Sequence, residues 1–239
     1  LEMVRSLRDG GMPFAAGLLA AVAVDEQREL ALRREAVIGL ALHSAAKLDV
    51  LEGLLRSGPV ALRAEAARSL RGAGVSEASA TLLRQLDAEP KLSARPAKLP
   101  VGDPVEGERV FFHPGGPRCS SCHSLGGRGG VVGPDLSTVG RLDRTRLLDS
   151  IFEPSREIAP QFTTWVLTTR RGSHTGLLLD DDPDGSLRLA AAGGQVVKIR
   201  PEEVLRRQPQ TTSLMPGNLH KLMTLKELAD LLAYLESAR

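Results

Sequence analysis

Cysteine is nearly absent from this chain. There are two, Cys119 and Cys122, so no disulfide framework can staple distant segments, and the pair must be read locally. Aromatic residues make up 3% of the sequence, which leaves most of the packing to Leu, Ala and Val. Neither sign of charge dominates. Lys and Arg total 31 against 29 Asp and Glu, and a formal charge of +2 gives no overall reason to bind nucleic acid or an anionic membrane. Long apolar runs are missing as well. The longest uncharged apolar stretch, Pro13 to Val24, has twelve residues, well short of the roughly 20 that a spanning helix needs. No transmembrane segment is expected. That stretch follows Arg5 and Arg8 and ends in Ala21-Val22-Ala23, so it reads either as an export signal, with Asp9 out of place, or as a buried helix. On the second reading the chain is expected to be a fragment of a longer protein.

Hydrophobic residues make up 42% of the 239, enough for one large core or two modest ones. The first 87 residues carry an internal repeat. Leu32-Arg33-Arg34-Glu35-Ala36 through Leu40 matches Leu62-Arg63-Ala64-Glu65-Ala66 through Leu70 at an offset of 30, and each set places apolar residues at i, i+4 and i+8. Gly58-Pro59 and Gly72-Ala73-Gly74 punctuate the units. Helix pairs that cannot bury their own faces must stack, so residues 1–87 are expected to be HEAT-like α-helical repeats. Residues 88–100 hold Pro90, Pro96 and Pro100 among Lys91, Arg95 and Lys98, the composition of a stiff linker.

Beyond the linker, Asp103-Pro104 predicts a helix start, with the helix running to about Phe112. A second helix is predicted over Asp143 to Phe152, and a third from the Thr224/Glu227 capping box through Leu235. Between them, Phe162 to Thr169, Thr175 to Leu179, Leu187 to Ala191 and Gln195 to Ile199 read as short strands of an antiparallel meander, at about 161–210. Arg171-Gly172, Pro183-Asp184-Gly185 and Gly193-Gly194 separate them.

Cys119-Ser120-Ser121-Cys122-His123 carries the chemistry. Two thiols at this spacing can reach both vinyl carbons of one haem while the adjacent His reaches its iron. A thiol-redox pair and half a zinc site remain open. The first expects a buried parallel strand before the motif, where this chain has Pro-Gly-Gly-Pro, and the second needs His113 or His174 as a fourth ligand. A haem iron held by His123 has a further axial position. Met215, between Leu214 and Pro216-Gly217, is the candidate, with Met223, His220 and His113 as rivals and an open position as another possibility.

Taken in order, Gly107 to His113, Cys119 to His123, Gly133-Pro134-Asp135-Leu136, Val139-Gly140-Arg141, Pro154 to Ile158, Ser213 to Pro216 and Leu228 to Leu235 resemble the planctomycete-type haem-binding domain. That family is a class I-like cytochrome c module at the C-terminal end of large dehydrogenases, often behind HEAT-like repeats and a β-propeller. The likeness covers 101–239 and departs from the family pattern at Arg171-Gly172 and at Phe162.

The resemblance implies a mainly α fold: helical repeats followed by a cytochrome c-like helical domain, with the meander as a small insertion. It implies one covalent haem c on Cys119 and Cys122, with His123 and Met215 on the iron. The Pro134 carbonyl would accept the His123 ring proton, and Arg141 and Arg128 would lie at the propionates. Gly107 with Phe111, and Leu231 with Tyr234, would pack the first helix on the last.

The function expected is electron transfer rather than catalysis, with electrons accepted from a dehydrogenase domain or another redox partner protein. Location would be periplasmic or otherwise extracytoplasmic. Two alternatives stand beside it: an open-site haem that binds gas or reduces peroxide, and a protein-docking helical repeat with an accessory haem domain.

Overall fold

The computed structural model describes residues 1–239 apart from 11, 72, 87–91, 180, 181, 183, 193 and 194. Of the expected punctuation and linker, Gly72, Pro183, Gly193, Gly194, Pro90 and Lys91 lie outside the described residues. Contacts divide the chain into two units, one of residues 1–91 with 109–118 and the other of 92–108 with 119–239.

In the first unit the apolar stripe of the repeat becomes the core. Its helices are α1 (Glu2–Gly10), α2 (Ala15–Val24), α3 (Leu30–Leu40), α4 (Leu48–Ser57), α5 (Val60–Ser69) and α6 (Glu77–Leu86), with a 3-10 stretch at Ala41–Ala46. Ala36, Leu40, Leu62, Ala66 and Leu70 are at most 1% exposed, and each buried leucine contributes about 1.5–3 kcal/mol. The Pro13–Val24 stretch forms α2, whose Ala15, Leu19 and Ala23 join that core.

The offset of 30 carries charge as well as packing. Glu35 accepts from Arg8 and Arg5, and its counterpart Glu65 accepts from Arg34 at 2.7 Å and Arg68 at 2.9 Å. A buried carboxylate persists only when paired in this way. Residues 109–118 complete this unit: Phe112 lies under the Arg8 guanidinium, 5.2 Å from ring centroid to Cζ, and Arg109 Nε is 3.8 Å from Glu65.

The second unit overturns the mainly α expectation. About half of the chain is helical, and the rest includes a five-stranded antiparallel sheet and a two-stranded one, so the fold is mixed α/β and not a mainly helical cytochrome-like domain. The small ribbon pairs β1 (Ser124–Leu125) with β2 (Arg128–Gly129). The larger sheet comprises β3 (Thr164–Thr169), β4 (Gly172–Leu178), β5 (Leu187–Ala190), β6 (Val196–Ile199) and β7 (Val204–Pro209), in the order β6-β5-β4-β3-β7.

The physical reason for the difference is that this sheet has a core of its own. Leu167, Leu189 and Ile199 are buried together, backed by Trp165, Leu178 and Val204, while Leu177 and Ala190 face the other way onto Val132. Period-two alternation therefore gives the sheet two apolar faces and makes it a structural layer.

The helices of this unit start where their caps predict. Asp103 Oδ1 accepts from Val105 N (2.8 Å) at the head of α7 (Pro104–Phe112), and Asp143 Oδ1 from Arg146 N (2.9 Å) at α8 (Arg144–Phe152). At α9 (Leu225–Ser237) the Thr224 and Glu227 side chains each accept the other's backbone N–H. Helix α7 meets α9 at Gly107, where a Cβ would lie 2.0 Å from the Asp230 carbonyl oxygen and 2.7 Å from Tyr234 Cβ, so the contact admits hydrogen alone. Among the described residues no helix is long and apolar enough to cross a membrane.

Candidate functional site

The turn carrying the cysteines is tight. Cys119–Ser121 forms a 3-10 helix, and the Cys119 carbonyl oxygen accepts from the backbone of both Cys122 (3.2 Å) and His123 (3.0 Å). All three candidate side chains thus issue from one turn of chain. Immediately before it stands Arg118, the one non-glycine at positive φ (57°) among the described residues. Such a conformation costs energy unless its surroundings impose it.

After His123 the chain doubles back through β1 and β2. Gly126 and Gly127 take φ of 60° and 77° at the tip, a hairpin twist that side-chain-bearing residues adopt at a cost. The returning strand is tied down by Gly130 N to Ser120 O (2.8 Å) and Gly133 N to Cys122 O (2.7 Å). This return lays Gly133 flat against the imidazole, where a Cβ would sit 2.7 Å from His123 Cε1 and 2.8 Å from Nδ1. The next residue, Pro134, offers its carbonyl oxygen to His123 Nδ1 at 2.9 Å.

A carbonyl oxygen can only accept, so Nδ1 bears the proton and Nε2 the lone pair. Burial lowers the His123 pKa below the ordinary histidine value, with the Pro134 hydrogen bond working in the opposite direction. At neutral pH the ring is a neutral imidazole with a fixed tautomer, which is the form that ligates metal.

Both thiols are free. Burial pushes Cys119 up to about 12, so it is a neutral thiol at physiological pH, whereas a redox-active pair needs a lowered pKa. Cys122 packs on the apolar cluster of Val132, Leu177 and Ala190, and Leu214 packs on the same cluster. The loop that holds Met215 therefore converges on the residues around Cys122. Its conformation is fixed by Ser213 N to Ser155 Oγ (3.0 Å) and Met215 N to Ser213 Oγ (3.1 Å), and Met215 itself is half-buried.

The rival ligands are engaged elsewhere. Met223 is 1% exposed in the core. His220 stacks on Phe152 with ring centroids 4.5 Å apart. His113 belongs to the first unit, where its Nδ1 accepts from Gly115 N (2.9 Å) and its Nε2 is 3.5 Å from Ser69 Oγ. His174 lies on β4 opposite Leu167. Among the described residues no group of three or more His, Cys, Asp or Glu side chains is gathered that could hold a metal ion. Arg141 is exposed at the end of the 3-10 turn Val139–Arg141, and Arg128 is paired with Glu108 at 2.9 Å.

Sequence reasoning gave Pro134 a role but quoted Gly133, which backs the ring, only as part of a motif. The available signal was the smallest possible side chain placed directly before a proline. Ser155, which pins the Met215 loop from 58 residues away, had no local signal. No family model and no curated protein matches this chain.

The residues present fit a covalently held haem: two free thiols, Cys119 kept neutral by burial, an adjacent neutral imidazole with its Nδ1 committed to a backbone oxygen, and a glycine against the ring where no Cβ fits.

Proposed function

We propose that the chain is a single-haem electron-transfer module, with haem c joined to Cys119 and Cys122 and its iron held by His123 and Met215. The observation that carries this reading is the 2.9 Å bond from His123 Nδ1 to Pro134 O directly behind the cysteine pair. That bond aims the Nε2 lone pair and raises its basicity, as the partner of a metal-binding histidine does.

Bound there, haem would supply one-electron chemistry between ferrous and ferric iron, and a thioether ligand would favour the ferrous state. The protein's part is positioning. Cys119 and Cys122 would tether the ring, Gly133 lets the returning strand lie directly against the His123 imidazole and hold it in place, Ser155 and Ser213 hold the Met215 loop, and Val132, Leu177, Ala190 and Leu214 exclude water beside Cys122. With His123 and Met215 both committed to the haem, no open position would remain for a substrate, and the module would pass electrons rather than transform a ligand. The partner is a dehydrogenase domain or a separate redox protein, and the compartment is extracytoplasmic, where covalent haem attachment takes place in bacteria.

The test is an absorption spectrum, oxidised and reduced, of protein produced with haem-maturation machinery. A c-type α-band with a long-wavelength sulfur-to-iron band is expected. An α-band without the sulfur band removes Met215 from the iron, and the absence of any haem spectrum overturns the proposal.

A further inference from the structure

Seven cations lie on the five-stranded sheet and its connections, and they divide into two groups. Arg188, Lys198 and Arg200 are paired with Asp182, Asp184, Glu202 and Glu203. The other four, Arg170, Arg171, Arg206 and Arg207, are exposed and make no ion pair with a described carboxylate. Glu203, the acid on which the Arg171 charge bears, is held first by Arg200.

The register brings these four to one corner of the sheet, with the consecutive Arg206 and Arg207 on opposite faces of the edge strand. Arg206 stands opposite Thr168 and Arg207 opposite Leu167, while Arg170 and Arg171 form the turn that follows Thr169. Strand β7 is one of the sheet's two edge strands and is exposed from Leu205 to Pro209. Beside it, the Arg207 guanidinium lies 4.6 Å from the ring centroid of the half-buried Trp165. Stacking holds that arginine in one place and so lowers the entropy lost when it binds a partner. Arg and Trp together are the residue types that most often dominate protein interfaces.

We propose that this corner is a docking surface for an acidic protein, and that the acidic protein is the redox partner of the haem module. The occupant follows from charge complementarity: four guanidiniums in no ion pair with a described carboxylate, on a chain whose other charges nearly cancel, make a local positive field suited to carboxylate pairs. Position supports it too. Strand β7 runs on through Gln210 into the Met215 loop, and the eight residue-to-residue steps from Arg207 to Met215 span at most roughly 28 Å. The identity of the partner as a redox protein rests on the proposed function, whereas the acidic docking surface does not.

The test is fluorescence anisotropy of labelled poly-L-glutamate titrated with the full chain, alongside a labelled oligodeoxythymidylate of equal charge. Poly-L-glutamate should bind at low salt and weaken about tenfold near physiological ionic strength, where the screening length is about 8 Å. The Arg206→Glu/Arg207→Glu and Arg170→Glu/Arg171→Glu variants should each lose about tenfold or more, and the milder Arg206→Gln/Arg207→Gln an intermediate amount. Arg84→Glu, exposed in the other unit, should leave binding unchanged.

Wild-type affinity in all the corner variants would overturn the proposal. Tighter binding of the oligonucleotide through the same arginines would also overturn it, in favour of a nucleic-acid surface. The haem spectrum of the same samples separates the two proposals. Arginine-dependent binding without haem leaves the docking surface standing and removes the redox role, and haem without such binding removes the docking surface alone.

Discussion

His123 Nδ1 donates to the carbonyl oxygen of Pro134 across 2.9 Å, and Gly133 lies flat on the same ring, so two successive residues fix one imidazole in tautomer and in plane. Substituting the glycine separates these effects. Gly133→Ala inserts a methyl 2.7 Å from Cε1, which the ring must yield to while the Pro134 carbonyl stays in place. The expected result is a loss of about 1–3 kcal/mol in urea unfolding, as for other overpacked sites, with a shifted or weakened sulfur-to-iron band. Unchanged stability and spectrum would mean that the ring is not held as described.

Two methionines make a crossed pair. Met223 is 1% exposed and Met215 is half-buried in a loop. Met223→Ala should cost about 2–5 kcal/mol by leaving a cavity and should leave the spectrum untouched. Met215→Ala should abolish the sulfur band at a much smaller cost in stability. A reversed pattern, read by absorption and urea titration of both variants, would exchange their roles.

His113 should make the first unit sensitive to acid. It is fully buried, with a pKa well below 6.5, because burial disfavours its charged form and Arg68, Arg71 and Arg8 repel it further. The sign follows directly. Below pH 6.5 the unfolded chain binds a proton at this residue that the folded chain does not, so stability falls as pH drops from there toward the lower folded pKa, at up to about 1.4 kcal/mol per pH unit. Above that window the residue contributes no slope. Hydrogen exchange of amides in α3 and α5 between pH 7.5 and 5 should show the loss, and His113→Gln should flatten it. Equal slopes in the two proteins would refute the assignment.

The repeated carboxylates should be structural. Glu65 is fully buried among Arg34, Arg68 and Arg109, so Glu65→Gln removes the negative charge these three cations share and should cost about 3 kcal/mol. Glu35→Gln should behave alike in helical circular dichroism during urea unfolding. A neutral result for both would mean that the clamp adds nothing to packing.

Local signals carried far in this chain. The caps at Asp103, Asp143 and Thr224, the stripe from Leu32 to Leu70 and four of the five larger strands were legible, because each depends on neighbours a few residues away. Strand β7 was not. Its Val-Leu-Arg-Arg-Gln-Pro sequence lacks alternation because it is exposed along nearly its whole length, and it is a strand because β3, some 40 residues earlier, supplies its hydrogen bonds. The fold class was misjudged for a related reason. Leu and Ala richness in the first 87 residues weighted the reading toward helix, while the sheet's own core joins Leu167, Leu189 and Ile199 from strands that no one short window contains together. At the site, the Cys119-to-His123 turn and Pro134 were readable from spacing and resemblance, but the Ser155–Ser213 bond joins segments 58 residues apart.

Because residues 109–118 belong with 1–91, the first unit is discontinuous in sequence. On the ribosome its helices emerge with Arg8 and Glu65 waiting for Phe112, Arg109 and His113, which follow only after the proline-rich stretch and the head of α7 have been synthesised. Domains that are continuous in sequence close as they emerge; this one cannot finish until Arg118 has left the exit tunnel, one residue before the first cysteine. Completion of the helical unit and delivery of the Cys119-to-His123 turn are thereby placed in immediate succession during synthesis.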